Sequence, residues 1–154
     1  MTPLGALGRG LLAGIVGTAA MTAYQELLPG AGDSKDPSWE DAPAPAQVAR
    51  RILSGVFHAD VSADKIPLLT SVVHWAYGTA WGAVYGLVQG TVHANPLLHG
   101  LLFGTSVWGL SYAQLVPMGI YEPPWTYPAK TVAKDLSYHL VYGLGVAAAF
   151  DTLD

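Results

Sequence analysis

The sequence predicts an all-α protein: a bundle of four transmembrane helices with an amphipathic helix at the membrane surface in the first loop. Charged residues make up 12% of the chain, about half of their share in soluble domains. No Asp, Glu, Lys or Arg lies between Lys65 and Glu122. Asn95-Pro96 divides this stretch into two halves, and each exceeds the roughly 20 residues that a transmembrane helix needs. We therefore expect a single integral membrane domain over residues 1–154.

The first apolar run, residues 10–28, is interpreted as the first transmembrane span. The alternative is a cleaved signal peptide, with TAAMTA as its alanine-rich cleavage region. A signal peptide has a basic segment before a short apolar run. Here Arg9 is the basic residue in front, and the run is long. We therefore expect an uncleaved span.

Residues 29–65 form the hydrophilic loop, and its second half predicts a helix. From Ala46 to Phe57 the apolar residues recur at i, i+3, i+4 and i+7, which is typical of one helix face. These residues are Ala49, Ile52, Leu53 and Val56, and Arg50-Arg51 lies beside them. Such a helix lies on the membrane surface or packs as a cap over the bundle, and the sequence leaves both interpretations open.

Three further spans are predicted, over residues 67–92, 97–120 and 129–150. Pro67 stands at a first helical position, where a missing N–H costs nothing. The turn at 93–96 and the proline-rich segment 121–128 separate the spans, because the residue before a proline disfavours helical backbone. The chain therefore has one long connection and two short ones.

Positive charge predicts the orientation of the bundle. The loops 29–65 and 121–130 lie at the same end, and together they carry Lys35, Arg50, Arg51, Lys65 and Lys130. The other end carries Arg9. Because Lys and Arg collect in cytoplasmic loops, we expect both loops in the cytoplasm and both termini outside.

Glycine recurs at every fourth position of the second span, at Gly78, Gly82, Gly86 and Gly90. In lipid, helices associate through close backbone contact, which small residues at i, i+4 allow. Gly100 and Gly104 offer a matching groove in the third span. We predict that these six glycines are helix-packing positions. Tyr77, Trp81 and Tyr85 form an adjacent aromatic ladder, and Trp108 lies in the middle of the third span. These residues are assigned to core packing, with an aromatic pocket or an oligomer contact as the alternative.

Several polar side chains are predicted to lie in the half of the bundle that is nearest to the loops 29–65 and 121–130. They are candidates for binding a proton or a small solute: Glu26, His74, Glu122, Lys134, Asp135, His139 and Tyr142. Asp135 and His139 lie four residues apart on one helix face, so the carboxylate can accept a hydrogen bond from the imidazole. Ionisable groups within a membrane often line a pathway. The other interpretations are that these groups satisfy one another and hold the bundle in register, or that they form a pocket for a ligand or a lipid headgroup.

Several function classes are excluded or disfavoured. The chain has no cysteine, so disulfides, thiolate nucleophiles and cysteine-ligated metals are excluded. It carries no catalytic motif, and we expect no catalytic residues, no metal site and no cofactor. Its net charge is −4, so nucleic acid is not an expected partner. Two histidines, His93 and His99, lie together at the turn, and two others, His74 and His139, lie in the opposite half of the bundle. This arrangement leaves bis-histidine haem ligation as a minor alternative.

The segment VWGLSYAQLVPMGIYEPPWTYPAKTVAKDLSYHLVYG, residues 107–143, resembles the YagU-like family of small bacterial inner-membrane proteins, a domain of unknown function. The matching positions are Pro117, Gly119, Pro123, Pro124, Trp125, Pro128, Asp135 and His139. The resemblance extends loosely over the second span. It implies four spans and a location in the bacterial inner membrane.

We therefore expect a small polytopic membrane protein without enzymatic activity. It self-associates through its glycine faces or acts as an accessory subunit, so its expected partners are membrane lipid and either a second copy or another membrane protein. The alternative is a proton-linked channel or small-solute transporter that uses His74, Asp135 and His139.

Overall fold

The computed structural model describes residues 2–28 and 38–153 of the chain. These residues form five α-helices and no strand, so the prediction of an all-α fold is confirmed. Short 3-10 turns lie at Ala63–Lys65 and Pro124–Thr126. The helices are α1 (Pro3–Leu27), α2 (Ala44–Phe57), α3 (Ile66–Val92), α4 (Pro96–Leu115) and α5 (Ala129–Thr152).

Caps and prolines explain where the helices begin and end. α1 begins seven residues before the predicted span, because Thr2 Oγ1 accepts a hydrogen bond from the Gly5 N–H at 3.2 Å and Pro3 fits the first helical position. α4 ends at Leu115 rather than at residue 120. The chain there passes through a turn with Gly119 at φ +63°, a backbone conformation that glycine adopts without strain.

By length and composition, α1 is the one helix of the described ranges that is long and apolar enough to cross a membrane. α3 and α4 are also long and contain no charged residue, but neither is apolar enough by the same measure. The structure therefore establishes a helical bundle with one candidate span near the N-terminus. The number of helices that cross a membrane stays a prediction.

The long helices pack in the order α3–α1–α5–α4. α1 lies antiparallel against both α3 and α5, and α4 packs on α5. α3 and α4 are consecutive, but their backbones scarcely approach each other. We call the end where α1 stops and α3 and α5 begin the loop side. The opposite end, which contains His93 and Asn95, is the turn side.

Glycines carry the close helix contacts. A methyl group on Gly82 would overlap Gly14 of α1, and one on Gly86 would meet Gly10. On the other side of the bundle, Gly100 and Gly143 bring α4 and α5 together in the same way. Backbones approach this closely only where neither helix carries a Cβ atom at the crossing.

Aromatic side chains fill the middle of the bundle. Tyr85 of α3 lies at 5.0 Å from Phe103 of α4 and 5.7 Å from Phe150 of α5, measured between ring centroids. Phe103 also packs on Tyr142. Tyr85, Phe103, Tyr142 and Phe150 are all buried, and Tyr77 and Trp81 pack against them, partly buried.

α2 has two different halves. Its first half is a cap: Ala46 is buried against Ile66 at the start of α3. Its second half projects from the bundle, where Ile52, Val56 and Phe57 are 48%, 66% and 67% exposed. The cap interpretation therefore holds for the first half of α2, while the second half leaves an apolar side uncovered. A location on the membrane surface stays a prediction.

Candidate functional site

The bundle brings polar side chains from four helices together in its loop-side half. We call this group the polar cluster: Thr22 of α1, His74 of α3, Trp108 and Tyr112 of α4, and Asp135 and His139 of α5. It is built where α4 and α5 cross, and Gly104 permits the crossing because a Cβ atom there would strike the His139 carbonyl.

The Asp135 carboxylate is the acceptor at the centre of the cluster. Trp108 Nε1 donates to Asp135 Oδ2 at 3.0 Å, and the Tyr112 ring packs beside Trp108, at 5.4 Å between ring centroids. His139 Nδ1 lies farther away, at 3.8 Å from Asp135 Oδ1. The sequence predicts an aspartate–histidine hydrogen bond, but the shorter contact of the carboxylate is to the Trp108 indole on the neighbouring helix.

The tautomer of His139 follows from its backbone contact. His139 Nδ1 lies at 2.9 Å from the Asp135 carbonyl oxygen, one turn earlier in α5. A carbonyl oxygen only accepts hydrogen bonds, so Nδ1 carries the hydrogen. In the neutral ring, Nε2 is therefore the basic atom.

His74 takes the opposite tautomer. The Thr22 hydroxyl donates its hydrogen to the Thr18 carbonyl at 2.9 Å, and His74 Nε2 lies at 3.2 Å from the same hydroxyl oxygen. Because the hydroxyl has one hydrogen, His74 Nε2 is the donor and Nδ1 is the basic atom. His74 and His139 are close enough to interact electrostatically.

One turn deeper, three helices meet at Gly78. The Tyr142 hydroxyl donates to the Gly78 carbonyl at 2.6 Å, which joins α5 to α3. On the other side of Gly78 lies the Thr18 hydroxyl, at a position that a Cβ atom would occupy. Thr18 and Tyr142 are fully buried. These contacts at Gly78 fix the register of α1 and α5 against α3, one turn deeper than the polar cluster.

The segment after α4 folds over the loop side of the cluster. The Tyr121 ring packs at 5.2 Å from the Tyr112 ring. Burial raises the pKa of the Tyr121 hydroxyl to about 12, and the neighbouring Asp135 and Tyr127 add to the rise. The Tyr127 hydroxyl accepts a hydrogen bond from the Glu122 backbone N–H at 2.9 Å, which fixes the segment.

Three of the predicted site residues lie apart from this group of contacts or at its edge. Glu26 and Glu122 have exposed side chains. In the ranges that the structure describes, no hydrogen bond or ion pair joins either carboxylate to the cluster. Lys134 is half-buried beside Asp135. Of the seven candidates, the structure brings together His74, Asp135 and His139, with Tyr142 one turn deeper.

Three members of the cluster were not predicted from the sequence. Thr22 is the partner of His74. Trp108, which the sequence assigned to core packing, is the partner of Asp135, and Tyr112 packs on Trp108. Trp108 and Tyr112 lie four residues apart, so they share one helix face, and an indole N–H and a phenol need an acceptor when buried. That spacing could have predicted a polar face on α4, whereas no sequence pattern indicated that Thr22 contacts His74.

Five of the six predicted packing glycines contact other helices of the same chain. Gly78, Gly82 and Gly86 face α1, and Gly100 and Gly104 face α5. Gly90, one turn after Gly86, is half-buried.

The histidines of the turn side have other contacts. His99 stacks on Tyr85 at 4.6 Å between ring centroids, and its Nδ1 contacts Gln89 Oε1. His93 ends α3 at φ 52° and is exposed. One ring face and one ring nitrogen of His99 are thus occupied, which gives the haem alternative no support at this end.

Chemically, the polar cluster holds one carboxylate and two imidazoles of opposite tautomer, each with a protein partner. The aromatic core lies next to the polar cluster, on its turn side. In the described part of the chain, the buried hydroxyls of Tyr77 and Tyr85 have no hydrogen-bond partner. No group of three or more His, Asp or Glu side chains in residues 2–28 and 38–153 is arranged to hold a metal ion.

Comparison of the chain with models of protein families, with curated proteins and with solved structures gives no match. The resemblance to the YagU-like family therefore stays a prediction from the sequence. The cluster has to be interpreted from its own geometry.

Proposed function

We propose that this chain is a small multi-pass protein of the bacterial inner membrane, without enzymatic activity. It works by associating with a second copy of itself or as an accessory subunit of another membrane protein. α1, α3, α4 and α5 are the proposed spans, with the two longer loops in the cytoplasm and both termini outside. An apolar groove on the outer face of the bundle carries the proposal.

The groove lies between α1 and α5 and has a volume of about 610 Å³. Leu12, Ile15 and Val16 of α1 form one wall, and Gly145 and Ala148 of α5 lie along the other side. Small residues on one side let another helix approach closely, and aliphatic residues on the other give it packing surface. A helix of a second membrane protein or of a second copy fits such a groove.

The outward surface supports the four proposed spans. Both α3 and α4 lack charged residues and expose aliphatic side chains, among them Leu68, Val72, Val84, Leu87, Val88, Leu97, Leu98, Leu102 and Leu110. An apolar surface of this extent is unfavourable in water and ordinary in hydrocarbon.

The contacts inside the chain change where association is expected. The ladder at Gly78, Gly82 and Gly86 is occupied by α1, and Gly104 is occupied by α5. We therefore assign association to the groove between α1 and α5, and not to the glycine faces that the sequence suggested.

The chain contains no cysteine, so one introduced thiol is a unique probe. Ile15→Cys, in the groove wall, is expected to cross-link in native membranes, either to itself or to a second protein. Leu102→Cys, on exposed α4 surface, is the matched control. Adding Ala148→Phe to Ile15→Cys fills the groove and is expected to abolish the cross-link, whereas adding Leu110→Phe leaves it. Equal cross-linking of Ile15→Cys and Leu102→Cys, or none at all, contradicts the proposal.

A second candidate function, a proton-linked pathway, is favoured by the unpartnered hydroxyls of Tyr77 and Tyr85. Along α3, Tyr77 follows His74 of the polar cluster, and Tyr85 farther along stacks on His99; water that satisfies the two hydroxyls would extend the polar groups from the cluster toward the turn side. Proteoliposomes with an internal pH dye test this candidate. Proton flux that disappears in His139→Gln supports it. Flux no greater than in empty liposomes, with His139→Gln lowering only the Tm, favours the non-enzymatic subunit.

A further inference from the structure

A cleft of about 330 Å³ lies beside α2, away from the polar cluster and the bundle core. His58 ends α2 in the left-handed conformation, at φ 53°, and turns the chain back along the helix. The Ala59 N–H then donates to the Leu53 carbonyl at 3.0 Å. Trp39 closes the other side, because its Nε1 donates to the Val61 carbonyl at 3.1 Å.

Two arginines line this cleft. The Arg50 guanidinium lies over the Trp39 ring, 4.7 Å from its centroid, so a cation–π contact holds it in place. Arg51 lines the same cleft, and Asp60 is the acidic residue among the lining residues. Guanidinium groups bind phosphate oxygens through paired N–H donors.

The uncharged polar residues of the cleft are engaged elsewhere. Gln47 Nε2 donates to the Ala42 carbonyl at 2.8 Å, and the Ser54 hydroxyl donates to the Arg50 carbonyl at 2.8 Å. The two guanidinium groups are therefore the charged donors that the cleft offers to an anion.

The position of α2 indicates where that anion comes from. The helix rests on the start of α3, and its uncovered side carries Ile52, Val56 and Phe57. A helix with such a side buries it at the boundary of the acyl chains and keeps its polar side among the headgroups. The cytoplasmic leaflet is the anionic one, and both loops are proposed to face it.

We propose that this cleft binds the phosphate of an anionic phospholipid headgroup, with Arg50 and Arg51 as its donors. The inference rests on the proposed membrane location. It assigns this chain a lipid class that neither the groove nor the polar cluster requires, and it makes α2 a lipid-recognition element.

The test uses the purified full chain in micelles of an uncharged detergent, titrated with dioctanoyl phosphatidylglycerol. Tryptophan fluorescence is the readout, and the loss of the signal in Trp39→Phe shows that Trp39 reports it. We expect saturable binding that Arg51→Gln weakens and that Arg50→Gln/Arg51→Gln weakens by about tenfold or more. Lys130→Gln, which removes a cation at the same end of the bundle but outside the cleft, is the control and is expected to bind as the wild type does.

Parallel titrations distinguish the source of the phosphate. Dioctanoyl phosphatidylcholine is expected to bind much more weakly. Inorganic phosphate that saturates the signal at the same concentration overturns the inference, and so does equal weakening by Lys130→Gln. Circular dichroism shows whether each variant is folded; if the double variant is not, Arg51→Gln decides. Membrane fractionation tests the proposed membrane location separately: a native protein that does not fractionate with membranes contradicts that location.

Discussion

At the α1–α3 interface two helix backbones touch, whereas between α3 and α4 large aromatic side chains hold the backbones apart. Gly82 lies against Gly14 at the first contact. At the second, Trp81 and Tyr85 pack on Phe103, at 6.4 Å and 5.0 Å between ring centroids. One helix therefore presents a small face and a large face, and each selects a different kind of neighbour.

This difference shows that succession in the chain does not decide packing. α3 and α4 are joined by the short turn at residues 93–95 but are separated by their aromatic residues. α1 and α3 are separated by a long loop and are in backbone contact. Close-packed glycines tolerate no added atom, while an aromatic seam accommodates changes by shifting side chains. The two regions should respond differently to mutation.

The largest expected effect is that of Gly82→Ala. The new methyl group overlaps Gly14, so we expect the free energy of unfolding to fall by about 3 kcal/mol. Gly109→Ala is the matched control, because nothing lies within 4 Å of a Cβ atom there; alanine is expected to be neutral or to stabilise α4 by up to about 1 kcal/mol. Unfolding in mixed micelles measures both. Similar effects at the two glycines would contradict the backbone contact.

A smaller loss is expected at the aromatic seam. Phe103→Leu keeps an apolar side chain of similar volume, and its neighbours move to fill the space, so we expect a loss of about 1 to 1.5 kcal/mol. Leu102→Ala, on the exposed side of the same helix, is the control in the same assay. A loss at Phe103 as large as that at Gly82 would show that the seam is as rigid as the glycine interface.

Two buried tyrosines that both pack on Phe103 are expected to differ. Tyr142→Phe removes the hydrogen bond to the Gly78 carbonyl and is expected to destabilise the protein by about 1 kcal/mol. Tyr85→Phe removes a hydroxyl that has no partner among the described residues and is expected to be neutral or stabilising. Destabilisation by Tyr85→Phe would reveal a bound water at that hydroxyl.

The smallest expected effect is a pH dependence at Tyr121. Its pKa in the folded protein is raised to about 12, above the ordinary value of about 10, so the fold favours the neutral hydroxyl. The stabilisation is complete below about pH 10 and is lost as the pH rises toward 12. Tyr121→Phe should therefore lose less stability than the wild type between about pH 10 and pH 12. Parallel curves for the two proteins would contradict the burial of this hydroxyl.

The sequence predicted most of the helical layout and part of the polar cluster. Proline and glycine positions gave α3 and α5 to within a few residues, since these residues limit helices locally. The i, i+4 spacing placed Asp135 and His139 on one face. Glu26 was predicted as a site residue from its depth along the first span. Depth along a helix does not tell in which direction around the helix axis a side chain points.

By itself, the sequence determined the boundaries of α3 and α5, the small and large faces of α3, and the amphipathic pattern of α2, because each depends on residues near one another in the chain. Only the tertiary structure decided which helix covers the glycines, which donors reach Asp135, and that Trp39 closes the cleft at Arg50. Those outcomes depend on the rotation and offset of whole helices, which are set by the packing of distant segments against one another.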